Sequence, residues 1–207
     1  MGGSGRTYGG KSAAERVAER RQRLIAATID VLADQGAAHA TMTAVCAAAR
    51  LTERYFYESF ASLEEAMVAA LDTIAEEIAQ LVLSTLGATS GTPDVRVNAM
   101  VGAFVDLVAA SPAKARVAVI ESAANPGLRA RRSQLLEMFA DLVAQEAASL
   151  YGEAAWPPGR ARLHGLVYVA GLAELVAAWL TGDVTMSDDD LIEVAGSLFS
   201  SVSRRAD

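Results

Sequence analysis

Apolar and polar residues follow one another along most of this chain with the period of an amphipathic α-helix. From residue 13 to residue 35, the apolar positions recur at i, i+1, i+4, i+7 and i+8, as in a helix with one core-facing side. These positions are held by Leu24, Ile25, Thr28, Val31 and Leu32. Gly36 follows, at the place where a glycine commonly ends a helix. The pattern therefore predicts a first helix over residues 13–35.

Eight further helices are predicted from the same period together with capping signals. A Ser, Thr or Asn followed by proline or by acidic residues, typical of a helix start, precedes five of them. The predicted helices cover residues 41–49, 52–60, 62–86, 92–110, 111–124, 125–151, 160–180 and 187–203. No run of alternating β-branched residues is long enough for a strand. The expected fold class is all-α, with about nine helices and no sheet.

The stretch from Thr41 to Phe60 predicts a helix, a tight turn and a second short helix. Thr41 and Thr52 are candidate N-caps, and the apolar Leu51 lies in the turn. Phe56 and Phe60 are four residues apart, so they share the inward face of the second helix. The polar and aromatic side chains then face outward, as the major-groove helix of a DNA-binding protein requires.

At the level of side-chain chemistry, Arg54 is the best candidate for reading a base. A guanidinium can bind guanine through O6 and N7, and Tyr55 can contact a thymine methyl group or a phosphate. Thr52 and Glu53 stand at the start of the second helix, where backbone N–H groups can approach a phosphate. The alternative for each of these residues is an ordinary exposed helix face.

The run LTERYFYESFASLEEAM, residues 51–67, resembles the corresponding part of TetR-type (tetracycline-repressor-like) transcriptional regulators. The resemblance extends from Arg21 to about Asp72, a quarter of the chain. It implies an N-terminal three-helix domain, residues 1–61, that binds DNA through a helix-turn-helix. It also implies a larger helical domain, residues 62–207, for effector binding and dimerisation. The implied function is that of a repressor that binds an inverted-repeat operator as a homodimer and is released by a small molecule.

The resemblance also assigns roles to single positions. Tyr57 matches the family's phosphate-binding tyrosine, and Ser59 and Thr43 occupy positions that contact DNA in family members. Three positions depart from the family pattern. Arg50 stands where glycine is usual, Thr43 where arginine is common, and Leu63 where a phosphate-binding lysine is common. The motif therefore lacks two expected cations.

Charge is distributed unevenly along the chain. The net charge is −7, but residues 1–24 carry +4 and residues 61–207 carry −9. A basic end on an acidic body can still bind a polyanion. Residues 1–12 contain five glycines and predict a disordered arm. Arg6 and Lys11 in this arm could replace the missing cations at the DNA; the alternative is a solvated tail without a role.

Several classes of site are disfavoured by the residues present. Cys46 is the single cysteine, expected in the core, and His39 and His164 have no metal-type spacing to other ligands. No Ser/His/Asp arrangement, phosphate-binding glycine loop or paired carboxylates occur. We therefore expect no enzyme activity, no metal and no cofactor. The start of the chain has no apolar core of a secretory signal, which favours the cytoplasm.

The predicted helix at 160–180 is apolar on nearly every side, so it must be buried on every side. A membrane span is one interpretation, but Glu174 interrupts the run, which falls short of about 20 apolar residues. We expect one side to pack on its own core and the other on a second subunit. In the resembled family the last two helices form a dimeric four-helix bundle, which implies a homodimer through helices at about 160–180 and 188–203.

An effector pocket is expected among adaptable Met and aromatic side chains of the larger domain. The candidate lining is Met100, Phe104, Met138, Phe139, Tyr168 and Trp179. At helical spacing such residues are also typical of plain core. Because few cations lie on the apolar faces, a lipophilic or neutral effector is favoured. The main alternative function is an all-helical small-molecule, lipid-binding or interaction protein without DNA activity.

Overall fold

The structure, a computed structural model, describes residues Ser12–Arg205, and within that range it confirms the all-α prediction. The α-helices are α1 Ala13–Gln35, α2 Met42–Ala49, α3 Glu53–Tyr57, α4 Leu63–Ala88, α5 Pro93–Ala110, α6 Pro112–Arg116, α7 Ser122–Ala124, α8 Pro126–Tyr151, α9 Pro158–Thr181 and α10 Asp188–Ser203. A short 3₁₀ turn, Gly152–Ala154, follows α8. The extended pairing in this range is a single bridge between Ala155 and Arg204. Most of the predicted arm lies outside the described residues.

The helix starts follow the capping chemistry of the sequence. Ser12 and Ser187 each form a capping box, with the N3 carboxylates of Glu15 and Asp190 respectively. Each hydroxyl accepts an N–H of the first turn, which would otherwise be unpaired. At α4 the Ser62 hydroxyl accepts the Glu65 N–H at 3.1 Å, but the Glu65 carboxylate accepts the N–H of Ala61 rather than that of Ser62. The return hydrogen bond of a capping box is therefore displaced by one residue at α4.

The predicted helix over 111–124 is one helical run interrupted by a π turn. Val117–Glu121 has π-type hydrogen bonding, with α6 before it and α7 after it. Counted as one helix, this run brings the described helices to the expected nine. Within the turn, Glu121 is buried and its carboxylate lies 3.2 Å from Nε of Arg116. An internal π turn of this kind is a local widening of the helix that sequence periodicity does not reveal.

The described chain divides into two compact units, one ending at Thr73 and the other beginning at Ile74. The division falls inside α4, whose first turns bury Ala66 and Ala70 completely. A functional boundary at residues 61/62 stays a prediction. In the first unit, Leu24 and Leu32 of α1 and Val45 of α2 are fully buried, as the amphipathic stripe predicts.

The core of the second unit is formed mainly by α5, α9 and α10, and partly buried residues of α8 pack against it. Its centre includes Val101, Val105, Leu191 and Phe199, and the ring of Tyr168 meets that of Phe199 edge-on at 5.4 Å. Burial raises the pKa of the Tyr168 hydroxyl well above its ordinary value, so this group stays protonated. The unit is therefore an apolar helical bundle around a neutral centre.

Helix α9 combines membrane-like composition with contacts inside this bundle. Its length and mean hydropathy of 1.6 would suffice to cross a membrane, and only 17% of its most apolar window is buried within the chain. It packs on α8 and α10, and it leaves Leu163 and Val167 exposed at 64% and 65%. The structure therefore shows the two sides that the sequence predicts, one on the core and one uncovered. The exclusion of a membrane stays a prediction.

Candidate nucleic-acid interface

The turn between α2 and α3 is tight because the backbone reverses at Arg50. This residue adopts a left-handed conformation, φ 51° and ψ 46°, and is the non-glycine residue with positive φ in the described chain. The Leu51 N–H then donates to the Cys46 carbonyl at 2.9 Å. Arg50, which stands where glycine is usual in the resembled family, therefore adopts a backbone conformation that a residue with a Cβ atom takes only at an energetic cost.

Two buried phenylalanines hold α3 against the first unit. Phe56 and Phe60 are almost fully buried, and their ring centroids lie 5.7 Å apart. The helix itself ends at Tyr57, earlier than the predicted residue 60, and the chain continues as a turn. Thr52 takes the N-cap position without a hydrogen bond from its side chain, in contrast to Thr41, which accepts the Ala44 N–H at 3.1 Å.

The outer side of α3 presents most of the predicted DNA-contacting side chains. Arg54 is the most exposed, with 84% of its side chain accessible, and Tyr57 is 61% exposed. The remaining predicted residues also lie in this unit: Thr43, Thr52 and Glu53 are exposed, and Tyr55 and Ser59 are half-buried. The Thr43 hydroxyl donates to the Glu53 carboxylate at 3.5 Å, which connects α2 to α3.

Two arginines of α1 bind backbone carbonyls of the helix-turn-helix, a role that the sequence did not indicate. Arg21 donates to the Ser59 carbonyl at 2.9 Å and stacks 4.2 Å above the Phe60 ring. Arg23 donates to the Ala49 carbonyl at 2.5 Å. These side chains thus satisfy carbonyl oxygens at the ends of α2 and α3. Part of the basic charge near this surface is therefore structural.

Glu58 also has a role that the sequence did not indicate. One of its carboxylate oxygens accepts from Nε of Arg54 at 3.1 Å, and the other lies 3.7 Å from a terminal nitrogen of Arg20. The Arg20 guanidinium also lies 4.6 Å above the Tyr55 ring. The spacing i, i+4 between Arg54 and Glu58 was a visible signal for the first of these contacts.

Leu63 opens α4 and is half-buried. Partial burial suits an apolar residue at this position, where lysine is common in the resembled family. Cys46 is buried, and its pKa is raised by burial first and by the Glu53 charge second. No group of His, Cys, Asp and Glu side chains able to hold a metal ion occurs between residues 12 and 205.

The residues predicted to line an effector pocket lie at different places in the second unit. Phe104 lines an apolar cleft of the second unit, together with Ile78, Leu107 and Val176. Met100 and Tyr168 lie in the core, with Trp179 packed against it. Phe139 is half-buried and Met138 is exposed. Their assignment to a pocket stays a prediction.

The cleft itself is mostly apolar, with an ion pair on its wall. The cleft is partly open to solvent, and as it stands it has room for only about one or two water-sized groups. Nζ of Lys114 lies 2.6 and 2.8 Å from the two carboxylate oxygens of Glu77. A cation and an anion that neutralise each other leave the cleft suited to an apolar ligand.

Comparison with solved structures assigns the fold. A TetR-like transcriptional regulator from Rhodococcus sp. RHA1 is 20% identical, with a TM-score of 0.61 over 88% of this chain and 94% of that one. The chain has the TetR-type fold. The fatty acid degradation regulator FadR from Bacillus halodurans is 18% identical, with a TM-score of 0.71 over 90% of this chain and 97% of that one.

A third TetR-type structure has a ligand in it. The transcriptional regulator FadR from Bacillus subtilis, in complex with stearoyl-CoA, is 17% identical to this chain. Its TM-score is 0.65, over 88% of this chain and 97% of that one. No protein-family model and no curated protein matches the sequence. At these identities the likeness extends to the fold.

Proposed function

We propose that this protein is a ligand-responsive DNA-binding transcriptional regulator. The observation that carries the proposal is the outer side of α3, where Arg54 and Tyr57 are exposed above the buried Phe56 and Phe60. A short helix held by apolar anchors and ending in a tight turn is the geometry of a major-groove reader. The neighbouring Arg20, Arg21 and Arg23 keep that helix in place.

The protein acts as a homodimer through α9 and α10. On α9, the exposed positions Leu163, Val167 and Gly171 are spaced by four residues and so form one stripe. A Cβ atom at Gly171 would meet no atom within 4 Å in this chain, so nothing within the protomer requires a glycine there. A glycine on an exposed apolar stripe allows a second helix to approach closely. Two copies of α3 in a two-fold dimer would bind an inverted repeat.

The second unit takes a small lipophilic effector, and binding releases the operator. The apolar cleft lined by Phe104 and Val176 supports such a ligand, and one neighbour of the same fold was solved with stearoyl-CoA. An effector lowers operator affinity by as much as it prefers the released conformation. With its operator released by an effector, the protein acts as a repressor, and we propose that it does so in the cytoplasm.

The experiment that tests the DNA-binding proposal is selection of bound duplexes from a random pool at near-physiological salt. We expect an inverted repeat, and we expect Arg54→Ala to weaken binding to that repeat by roughly 5- to 100-fold, because one bidentate base contact contributes about 1–3 kcal/mol. Arg129→Ala, which removes an exposed arginine of α8, is the matched control. Long-chain acyl compounds added to the complex should release the duplex.

The alternative is a lipid-binding helical protein without DNA activity, which the apolar cleft and the exposed stripe on α9 would also suit. Protein refolded after removal of any bound ligand should still select the repeat. If neither the native nor the refolded protein selects any duplex, while acyl compounds bind to it, the regulator proposal is wrong and the alternative is favoured.

A further inference from the structure

We propose that Glu58 is a positioning residue that sets the base specificity of Arg54 by holding one edge of its guanidinium. This inference rests on the proposed function and adds to it a specific target: a guanine in each half-site of the operator. Glu58, the C-cap of α3, thereby has a role other than contact with solvent.

Few contacts hold the Arg54 side chain. It is 84% exposed, so packing does not select one rotamer, and its Nε donates to the carboxylate of Glu58 one turn later. A free arginine side chain loses rotamer entropy when it becomes fixed. The contact at 3.1 Å restricts the guanidinium before DNA arrives, which lowers that cost.

Glu58 is itself held from the other side. Its second oxygen lies 3.7 Å from Arg20, and the Arg20 guanidinium lies over the Tyr55 ring at 4.6 Å. Only 23% of the Arg20 side chain is exposed, so this end of the network is anchored in the first unit. The chain of contacts therefore runs from α1 through Glu58 to the exposed Arg54.

The contact leaves the base-reading part of Arg54 available. A guanidinium has five N–H donors, one on Nε and four on the two terminal nitrogens. Glu58 accepts from Nε, so the terminal nitrogens remain free for the O6 and N7 acceptors of a guanine. A carboxylate at this place also repels phosphates and so weakens binding that does not depend on sequence. Both effects raise the ratio of specific to non-specific affinity.

The test measures the base preference of the wild type and of three variants, Glu58→Ala, Glu58→Gln and Glu64→Ala, on the duplex that the wild type selects. The relevant guanine is the base whose recognition is lost in Arg54→Ala. Each protein is titrated with the selected duplex and with three duplexes in which this guanine is replaced by one of the other bases. We expect the wild type to prefer guanine by roughly 10- to 100-fold. Glu58→Ala should reduce this preference to a few-fold, and it should bind random duplex more tightly than the wild type does.

Two controls separate positioning from charge. Glu58→Gln keeps an oxygen acceptor for Nε of Arg54 without the charge, so it should retain most of the guanine preference. Glu64→Ala removes an exposed carboxylate of α4 and should leave the guanine preference unchanged. Circular dichroism of each variant checks that the helices are intact.

The outcomes are distinguishable. If the wild type selects an inverted repeat but Glu58→Ala keeps the full guanine preference, the positioning role is wrong and the proposed function stands. If Glu58→Gln loses as much preference as Glu58→Ala, charge rather than orientation is responsible, which also overturns the role. If the wild type selects no duplex, the proposed function fails first.

Discussion

Arg50 shows how a single residue can carry a backbone cost at a functional turn. A left-handed conformation costs a residue with a Cβ atom about 1–2 kcal/mol, and glycine avoids that cost. Arg50 nevertheless adopts it at φ 51° and is exposed, so its side chain is available to solvent or to a phosphate. The residue therefore combines a less stable turn with a cation beside α3.

We expect Arg50→Gly to raise the free energy of unfolding by up to about 1 kcal/mol, since relief of the left-handed strain is partly offset by the greater freedom of glycine in the unfolded chain. Urea denaturation measures this change. Arg50→Ala keeps the Cβ atom and removes the charge, so it should show no such gain. An equal gain in both variants would mean that lost charge, and not backbone strain, is the cause. Operator affinity should fall in both variants if Arg50 contacts a phosphate.

At the scale of elements, the contact between α8 and α9 depends on one glycine. A Cβ atom built on Gly165 would lie 2.5 Å from the carbonyl oxygen of Ala140, a backbone atom that cannot move without shifting α8. Gly165 therefore serves packing within the chain. A Cβ atom at Gly171 would meet nothing within 4 Å, so this position is open to contact with a second subunit.

Gly165→Ala is expected to lower the free energy of unfolding by about 1–3 kcal/mol, because overpacking forces the two helices apart. Gly159→Ala is the matched control on the same helix, since a Cβ atom there meets nothing within 4 Å. Thermal unfolding followed by circular dichroism gives the comparison. Equal melting temperatures for the two variants would contradict the close approach of α9 to Ala140.

At the scale of the whole molecule, the exposed apolar stripe of α9 requires a cover. Leu163 and Val167 are both more than half exposed, and adjacent apolar side chains on a folded surface commonly mark an interaction site. Residues 61–207 carry a net charge of −9 and residues 1–24 carry +4, so the proposed DNA contact is expected at the basic end of the chain. Dimerisation through α9 and α10 would cover the stripe and present two copies of α3.

Gly171→Trp tests the dimer. Because a large side chain on the stripe blocks a second helix but meets nothing within the chain, we expect a folded monomer with unchanged helicity and with operator affinity lowered at least tenfold. Sedimentation velocity measures the mass. Gly87→Trp, at an equally open glycine near the end of α4, should remain dimeric. A dimeric Gly171→Trp protein would place the interface elsewhere.

The sequence by itself determined the helices and their order. Hydrophobic period and capping are local properties, so the starts at Thr41, Thr92 and Ser187 appear where the sequence predicts them. The inward faces of Phe56 and Phe60 were likewise readable, since i, i+4 spacing fixes a shared side of a helix. The shorter α3 was not, because hydrogen bonds of the turn after Tyr57 compete with one more helical turn.

Only the tertiary structure decided which side chains meet across elements. Arg20 and Glu58 are 38 positions apart, and their contact depends on how α1 crosses α3. The same holds for Gly165 against Ala140 and for the Glu77–Lys114 pair. The period of a helix gives the face of each side chain but not the helix that it meets, because packing is set by the combined shapes and volumes of all the elements.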